Sequence, residues 1–385
     1  MAEESQPRVV LTPCTDYQEA RVEAAVQASL AALGGMERFV QPGQRVFLKV
    51  NLLMAKEIDR AITTHPAVVK AVVKQIQAAG GSVIIGDSPG GPYSVSGLKR
   101  SYRLSGVEQV AAETGAALNF DLGAVELTHP AGKVLKRATI IRPLADADVV
   151  ITLPKLKTHG LTKFTGGVKI LFGAIPGLLK AEYHLRMPDV RDFSDMLLDL
   201  VTLVKPRLSI MDGVVGMEGE GPSAGKPKQV GLLLASTDSV ALDVVACAVV
   251  GIPPEEATTT RAAMARGLTT GRVEDIDLVG PPLSAVKLTD FETVGKGGDF
   301  VHRMPGFVHG LAYALLRPKP VTNQQLCNGC GTCANVCPAQ AITMIGHRPR
   351  TDYDKCIRCF CCQELCPQSA VMIQRPWAGR MVFRV

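Results

Sequence analysis

The 385-residue sequence has few of the features that mark membrane or secreted proteins. No stretch reaches the roughly eighteen uninterrupted apolar residues that a membrane-spanning helix needs. The most apolar segment, residues 240–252, is interrupted by Asp243. The first ten residues lack the basic start and apolar core of a secretory signal. We therefore expect a cytoplasmic protein without a membrane span.

The sequence also lacks the usual marks of nucleic-acid and nucleotide binding. There is no arginine-rich run and no basic strand with interleaved aromatic residues, so no nucleic-acid partner is expected. A Gly-x-x-x-x-Gly-Lys-Ser/Thr loop and a convincing dinucleotide fingerprint are both missing, which argues against bound ATP, NAD or flavin. The net charge of +6 is modest. The chemistry must therefore come from other residues.

Cysteine is plentiful but confined to one region. Nine of the eleven cysteines lie between residues 327 and 366, in two runs with the same spacing, Cys-x-x-Cys-x-x-Cys-x-x-x-Cys-Pro. In the bacterial ferredoxin run, three closely spaced thiolates hold one 4Fe–4S cluster and the fourth binds the other cluster. The spacing assigns Cys327, Cys330, Cys333 and Cys366 to cluster I, and Cys356, Cys359, Cys362 and Cys337 to cluster II.

Other interpretations of the cysteines fit less well. Zinc sites also use Cys-x-x-Cys pairs, but they need four ligands for each metal and no proline-marked fourth cysteine. A disulfide framework is typical of short secreted chains. Cys14 and Cys247 are isolated and are expected to be buried as small apolar residues. Cys361 is an additional thiol inside the second run, expected to pack, although a substitute ligand is conceivable.

The cysteine-rich region has an unusual charge. From residue 327 to the C-terminus there are seven lysines and arginines against three acidic residues. A basic ferredoxin could dock against its own main domain, or it could attract an acidic electron donor through complementary charge. Scattered, solvated charge is the alternative. We expect the partners to be an electron donor or acceptor protein and a small anionic substrate.

Before the cysteine runs, apolar strands alternate with helical patterns. Strands are expected at 8–11, 45–50, 82–85, 117–120, 148–153, 207–211 and 230–234, and helices at 18–33, 66–79, 107–114, 193–204 and 239–250. This alternation predicts an α/β fold with a mainly parallel sheet and helices on both faces. Continuous apolar strands are typical of strands covered on both sides. An antiparallel excursion is expected around residues 133–141.

Changes in composition divide the chain. Residues 1–280 are predicted to form the α/β domain, with its core at 45–250. Residues 281–320 form a linker rich in proline and glycine. In the linker, residues 307–316 have the pattern of a short amphipathic helix that docks the cysteine-rich module, a membrane-surface anchor being the less favoured alternative. Residues 321–375 form a small α+β two-cluster ferredoxin domain, and 376–385 form a tail.

Polar residues follow the predicted strands at their carboxyl ends, where open parallel sheets bind ligands. Asn51 follows one strand and His65 precedes the next helix, while Asp87, Lys155–His159 and Asp212 come at the ends of three further strands. Lysines and backbone amides at a helix start hold phosphate or carboxylate well. Lys155, Lys157, Thr158, His159 and Lys169 therefore predict an anion pocket, with a solvated basic loop as the alternative. We expect Lys157 to face solvent and to contribute little to packing.

Several of these motifs resemble a known family. Phe47-Leu-Lys-Val-Asn51, Thr64-His65-Pro66, Gly86-Asp87-Ser88-Pro89-Gly90, Leu153 to His159, Gly166 to Lys169 and Phe172-Gly173 are similar to the domain of unknown function 362. The resemblance covers roughly residues 45–250 and implies a C-terminal two-cluster ferredoxin, which family members often carry. The family often has asparagine where this chain has Ile170. At the level of the fold, the strand-end histidines and lysines also resemble the apoprotein of nickel-dependent lactate racemase.

The leading functional hypothesis is an iron–sulfur redox protein, an oxidoreductase or a component of one, that passes low-potential electrons through two oxygen-sensitive 4Fe–4S clusters to an anionic substrate. The expected catalytic residues are His159, Lys157, Asp87 and Asp212, the last two orienting the substrate or binding a further metal. The expected substrate-binding residues are Lys155, Thr158, Lys169, Asn51 and His65. One alternative is a non-enzymatic electron carrier or maturation factor that binds a partner protein. Another is a non-redox enzyme with a racemase-like metal site, in which the clusters stabilise or sense.

Overall fold

The computed structural model of the chain describes residues 6–294 and 318–375. Its strands are β1 (Arg8–Pro13), β2 (Arg45–Val50), β3 (Ser82–Gly86), β4 (Ala117–Leu118), β5 (Ala124–Thr128), β6 (Arg137–Ile141), β7 (Val149–Leu153), β8 (Lys155–His159), β9 (Lys163–Thr165), β10 (Leu208–Glu218), β11 (Lys226–Ser236), β12 (Asp277–Val279), β13 (Lys319–Thr322), β14 (Ile342–Ile345), β15 (Arg348–Thr351) and β16 (Val371–Gln374).

The helices lie mostly between these strands. They are α1 (Glu19–Ala32), α2 (Pro66–Ala78), α3 (Val95–Leu104), α4 (Val107–Thr114), α5 (Arg142–Ala145), α6 (Leu179–Arg186), α7 (Val190–Val204), α8 (Ser239–Val249), α9 (Thr258–Ala265), α10 (Leu283–Val286), α11 (Thr332–Asn335) and α12 (Cys361–Glu364). Short 3₁₀ segments occupy Met36–Arg38, Ile58–Arg60, Lys169–Ala174, Pro254–Glu256 and Val273–Asp275.

One large sheet organises the first part of the chain. Its order is β12-β1-β11-β10-β7-β2-β3-β4, and β8 and β9 extend it from β10. The neighbours from β10 to β4 run parallel, whereas β11 is antiparallel to both β10 and β1. The predicted mainly parallel α/β fold is confirmed. The β5–β6 hairpin forms a separate antiparallel pair, in the region where an excursion was expected.

Strand β2 shows how both faces of the sheet are covered. Val46, Leu48 and Val50 belong to the apolar cluster that contains α1 and α2, whereas Phe47 belongs to the cluster that contains α7. Successive strand side chains point to opposite faces. Lys49 therefore lies on the Phe47 face, although it sits within a strand that is otherwise apolar. A third cluster joins β1 and β11 to α8 and includes Cys247, which is fully buried as predicted.

The described residues 318–375 form a small module with two antiparallel pairs, β13–β16 and β14–β15. A short helix lies within each cysteine run, α11 in the first and α12 in the second. The apolar cluster of this module is small and includes Ile342 and Val371 beside cysteine side chains. The small α+β architecture is therefore as expected, and its stability depends heavily on what the cysteines bind.

Three expectations fall wholly or mostly on residues outside the described part of the chain. The helix at 307–316 and most of the linker belong to residues 295–317, and the tail to residues 376–385. The domain boundaries also stay predictions.

Candidate functional site

The lysine-rich segment after β7 is a buried strand. β7 ends at Leu153, and after one proline the chain continues as β8 beside β10, where Lys155 is opposite Asp212 and Lys157 is opposite Met217. Both lysines are 1% exposed. The prediction that Lys157 faces solvent is therefore wrong, because β8 is enclosed between β10, β9 and the cysteine module.

Lys155 is neutralised by an internal ion pair. Its Nζ donates to Asp212 Oδ2 at 2.7 Å and to the Tyr17 hydroxyl at 2.8 Å, and that hydroxyl donates to Asp212 Oδ1 at 2.9 Å. Asp212 also accepts from the backbone N–H of His65, whose ring stacks on Tyr17 at a centroid distance of 3.5 Å. Burial lowers the pKa of Lys155, and Asp212 opposes the shift. This cluster ties β8 and β10 to the start of α2, and its charges are committed to each other.

A cavity of about 100 Å³ lies at the carboxyl ends of β2 and β3, between the sheet and the cysteine module. Its charged lining consists of Lys49, Lys157, Lys169, Lys180, Asp87 and Glu364. Asn51, Ser88 and His184 add polar groups, and Leu53, Ile170, Phe172 and Leu178 form apolar walls. The module closes the cavity with Val336, Cys361, Glu364 and Leu365. The cavity therefore exists only where the two parts of the chain meet.

One lysine in the cavity has a carboxylate partner. Lys49 Nζ donates to Asp87 Oδ1 at 2.6 Å, and Asp87 Oδ2 accepts from the backbone N–H of Leu52 at 2.8 Å. Both charged side chains are almost completely buried. A buried pair of this kind loses much of its Coulombic gain to desolvation. Asp87 is thus occupied in holding Lys49 and the start of the loop after β2.

The other lysines leave positive charge available. In the described structure, Lys157 donates to Asn51 Oδ1 at 3.0 Å and to the Ile62 carbonyl at 2.8 Å, both neutral oxygens. Lys180 donates to Ser88 Oγ at 3.0 Å and to the Ile175 carbonyl at 2.6 Å. The Lys169 ammonium lies 5.5 Å from the centre of the Phe172 ring. The Glu364 carboxylate interacts with Lys169 and offsets part of this charge. A small anion is the ligand that would balance the remaining cations.

Burial brings the pKa values of two of these lysines close to neutral pH. Burial, together with the positive charges of Lys169 and Lys155, lowers the pKa of Lys157 to about 7. The negative charge of Glu364 opposes this shift. Burial likewise lowers the pKa of Lys180 to about 7, against the attraction of Asp87. An anion in the cavity would favour the charged form of both lysines. These two amines can therefore either hold an anion or exchange a proton with it near neutral pH.

His159 links the sheet edge to the module. Its Nδ1 accepts from the backbone N–H groups of Leu161 and Thr162 at 3.0 and 3.2 Å, so the neutral ring carries its proton on Nε2. Nε2 lies 2.9 Å from Glu364 Oε1, but the two are not aligned as a good hydrogen bond. Burial lowers the pKa of His159 to about 4. The ring is neutral near pH 7, and it positions Glu364 at the cavity wall.

A carboxylate outside the cavity fixes the turn before Lys169. Asp243, on α8, accepts from the backbone N–H of Gly167 at 2.6 Å and of Val168 at 3.1 Å. A Cβ at Gly166 would lie only 2.0 Å from the same carboxylate. Burial raises the pKa of Asp243 to about 7, and the two N–H groups oppose that shift. The glycines of this segment therefore allow a close approach of backbone to carboxylate that places Lys169.

The eight predicted cysteine ligands fall into two spatial groups. Cys327, Cys330, Cys333 and Cys366 line one small recess together. Cys359, Cys356 and Cys337 act more strongly on the Cys362 thiol than Cys333 of the other group does. The crossover of Cys337 and Cys366 between the runs thus matches the donor set of a bacterial ferredoxin.

Chain neighbours of the predicted cysteine ligands line the cavity. Cys361 lies next to Cys362 in the chain, is within hydrogen-bond reach of Cys359, and lines the cavity. Val336, which precedes Cys337, also lines it. Cys361 and Cys362 are both buried, whereas Cys330 of the first group is exposed. Cys330 is therefore the most solvent-exposed of the predicted ligands, and residues next to Cys337, Cys362 and Cys366 reach the cavity.

The structure brings together only part of the predicted substrate site. Asn51, Asp87, Lys157 and Lys169 line the cavity, and His159 reaches its wall through Glu364. Lys155, His65 and Asp212 form the separate ion-pair cluster described above. Thr158 points to the opposite face of β8 and donates to the Gly219 carbonyl at 2.9 Å. Five residues of the cavity lining were not predicted from the sequence, namely Lys49, Ser88, Lys180, His184 and Glu364. Lys49 and Lys180 could have been noticed, because each is a charged residue among apolar neighbours in the sequence.

Comparison with known proteins identifies the class to which this arrangement belongs. Residues 46–248 match the family described as domain of unknown function (DUF362), and residues 319–367 match the 4Fe-4S dicluster domain. The chain belongs to the DUF362 family. The second match supports iron–sulfur binding by the cysteine module. No helix within residues 6–294 and 318–375 has the length and hydropathy to cross a membrane.

Particular relatives are also similar. A thylakoid-associated protein of Synechocystis sp. is 37% identical over 265 residues, which is 68% of this chain and 79% of that protein. The lactate racemase apoprotein from Thermoanaerobacterium thermosaccharolyticum shares 13% identity at a TM-score of 0.38, over 61% of this chain and 55% of its own. A Thermotoga maritima protein shares 13% at a TM-score of 0.32, over 58% of this chain and 56% of its own. This chain thus spans little more than half of either solved structure.

Proposed function

We propose that this protein is an iron–sulfur oxidoreductase that binds two 4Fe–4S clusters and reduces a small organic anion in the cavity between its two parts. The observation that carries the proposal is the shared wall of that cavity. The sheet edge contributes lysines, and the module contributes Val336 and Cys361, which adjoin ligands of cluster II, and Leu365, which adjoins a ligand of cluster I. When bound, the clusters supply single low-potential electrons. Cys327, Cys330, Cys333 and Cys366 would hold cluster I, and Cys356, Cys359, Cys362 and Cys337 cluster II.

The lysines would bind and orient the anion. Lys157, Lys169 and Lys180 approach the cavity from β8, the 3₁₀ segment and α6, so an anion between them is contacted from several directions. Apolar walls such as Phe172 and Leu178 exclude water and suit a carbon skeleton attached to the charged group. A small organic acid therefore fits this lining better than a bare inorganic ion.

Lys157 would also supply a proton. A pKa of about 7 leaves its ammonium able to donate a proton to a substrate that gains electrons, and able to recover the proton from solvent afterwards. His159 is less suitable as the donor, because its pKa of about 4 leaves it neutral near pH 7. We therefore reassign His159 from proton transfer to positioning Glu364, and Asp87 from substrate orientation to holding Lys49.

The cluster assignment is tested by composition and by one substitution. Anaerobically purified protein should contain about eight irons and eight acid-labile sulfides per chain, four of each per cluster. Cys337→Ser should lose cluster II and leave the spectroscopic signal of cluster I largely intact. Cys361→Ser, one residue from a ligand, is the matched control and should keep both clusters. About four irons in the wild type, stoichiometric zinc, or loss confined to cluster I in Cys337→Ser would overturn the assignment.

The redox proposal is tested by reoxidation. Protein with both clusters reduced by dithionite and then freed of excess reductant is mixed anaerobically with small organic acids, one at a time, and its visible absorbance is followed. An acid that is a substrate should reoxidise the clusters and yield a reduced product by mass spectrometry. Lys157→Met should abolish this reoxidation while iron content stays the same. A substrate that reoxidises the Lys157 variant as fast as the wild type would refute the assigned site.

A further inference from the structure

We infer that a small acidic one-electron carrier protein docks on the face of the module formed by residues 323–330 and 342–351, beside the cysteines of cluster I. This cluster I face is defined by the loop 323–330 and the β14–β15 hairpin. The inference rests on the proposed function only in requiring that electrons enter the protein. It concerns a different surface, which lies away from the cavity.

Charge is the first observation. From residue 318 to residue 351 the sequence contains no aspartate or glutamate, while it contains Lys319, Arg348 and Arg350. Both arginines are exposed. The nearest acidic residues along the chain, Asp352 and Asp354, follow the hairpin, and Asp352 lies 3.8 Å from Lys355. The face is therefore one-sided in charge, and an acidic partner is attracted while a basic one is repelled.

Access to the cysteines is the second observation. Cys330 is exposed, and Cys327 and Cys333 are partly exposed. In the second group, Cys362 is buried, and Cys337, Cys356 and Cys359 are partly exposed. The fourth ligand of the first group, Cys366, is also buried. Cys330 is therefore the most open of the eight predicted ligands, and electrons from another protein can approach through its loop.

Contacts show that the face is one continuous surface. A Cβ at Gly329 would lie 2.7 Å from the His347 carbonyl, so the cysteine loop packs directly on the hairpin tip. The Arg348 guanidinium donates to the backbone carbonyl of Gln324 in the cysteine loop. It also lies 3.4 Å from the side-chain oxygen of Gln324. The arginines, the hairpin tip and the exposed cysteine thus belong to a single patch.

Two apolar side chains in the patch provide anchors. Leu326 is 52% exposed and Ile345 is 59% exposed, among the most exposed large apolar residues in the described structure. They lie directly before the first cysteine ligand and at the end of β14. Apolar anchors with a rim of arginines are characteristic of protein interfaces. Small redox encounters need only a modest buried area.

The other side of the module is already occupied. Gln363 Nε2 donates to the Glu220 carbonyl at 3.0 Å, and Arg375 pairs with the Glu220 carboxylate at 2.6 Å. Ile373 packs on Gly160, and Leu365 packs on Gly90. These contacts come from the second run, from β16 and from Arg375, which follows β16. The module is thus held to the sheet by one side and presents the first run to solvent on another.

The experiment measures binding and electron entry separately. An acidic flavodoxin is the probe, and its affinity for the iron-loaded protein is measured at low and at high salt without any substrate. We expect binding that weakens with salt. Arg348→Glu/Arg350→Glu should weaken binding at low salt by at least about tenfold, because two attractive charges become repulsive. Reduction by flavodoxin should slow in parallel, while reduction by dithionite should not change.

Matched variants keep the result interpretable. Lys136→Glu/Arg137→Glu makes the same change in net charge on exposed residues of the β5–β6 region and should leave binding within about twofold. Arg350→Glu/Ile345→Ser avoids the Arg348 contact with Gln324, in case that contact is needed for folding, and should also weaken binding. Equal loss in the control, or unchanged binding in both patch variants with full iron content, would overturn the inference. A failed search for a cavity substrate would leave this result standing.

Discussion

At the scale of single residues, the cavity lysines are the most informative groups. Lys157 is buried, and it is influenced by the positive charges of Lys169 and Lys155 and by the acidic groups of Glu364 and Asp87. Desolvation and like charges both favour the neutral amine. Ligand binding should reverse this, since an anion favours the ammonium. Binding of an anion and uptake of protons by Lys157 and Lys180 are therefore coupled.

This coupling predicts how anion affinity depends on pH. Sulfate, which stays a dianion across the range, should bind more tightly at about pH 6 than at about pH 8.5, by at least about tenfold. The sign follows from the pKa values of about 7, because both lysines lose their protons as the pH rises through that value. Isothermal titration calorimetry in buffers of different ionisation enthalpy should also show proton uptake.

Two variants test whether the cavity lysines cause the pH dependence of sulfate affinity. Lys157→Met should weaken sulfate binding and flatten its pH dependence, because one of the two titrating amines is gone. Lys136→Met changes an exposed lysine on the β5–β6 region and should preserve both the affinity and the slope. Sulfate affinity that is independent of pH in the wild type would show that the cavity lysines are fully charged and that desolvation is weaker than their burial indicates.

Sequence reasoning at this scale identified the residue types but not their surroundings. The run from Lys155 to His159 predicts cationic side chains after a strand. Lys157 of this run and the later Lys169 do reach the cavity. The burial of that run depends on the bulged partnership with β10, whose register shifts between Asp212 and Met217. Glu364 could not be placed, because its role depends on how a distant module packs. A single sequence carries no signal of that contact.

At the scale of elements, the turn between β9 and the 3₁₀ segment depends on Asp243 of α8. Asp243→Ala should remove both acceptors from the buried N–H groups of Gly167 and Val168, destabilising the protein by roughly 1–3 kcal/mol. Because the turn positions Lys169, sulfate affinity should fall as well. Chemical denaturation and sulfate titration on the same variant check the two effects.

The matched control for this prediction lies on the same helix. Asp238 caps the N-terminus of α8, where its Oδ1 accepts from the N–H groups of Val240 and Ala241 at 2.7 and 3.0 Å. Asp238→Ala should cost about 1 kcal/mol of stability through the lost cap and leave sulfate binding unchanged. If both variants lose affinity equally, α8 as a whole rather than the Asp243 contact supports the site.

Boundaries that depend on local sequence were predicted better than boundaries that depend on long-range strand pairing. The strand at 45–50 and the helix at 107–114 coincide with β2 and α4, because apolar periodicity and flanking glycines define them locally. The strand at 207–211 is instead the eleven-residue β10, which continues through Asp212 and two glycines. Its second half is stabilised by β8 and β11, and such long-range pairing overrides the local glycine signal.

At the scale of the whole molecule, two parts with different sources of stability share one cavity. The three large apolar clusters contain only residues up to Phe291. The cluster in the module is small and lies against its cysteines, so iron–sulfur binding and folding of the module are coupled. The contacts between the parts include polar ones such as Arg375 with Glu220 and His159 near Glu364. Polar contacts are typical of interfaces between separable domains.

The last prediction is that residues 1–294 fold without the module. A fragment ending at Val294 should be soluble and should unfold cooperatively, because it retains the whole sheet and all three large clusters. Its thermal transition, followed by circular dichroism, should match the main transition of full-length protein from which iron has been removed. The full-length apoprotein is the appropriate control, since it has the same chain and lacks only the metal-dependent folding of the module. A fragment that is insoluble, or that unfolds without a cooperative transition, would show that the sheet needs the module to close its ligand edge.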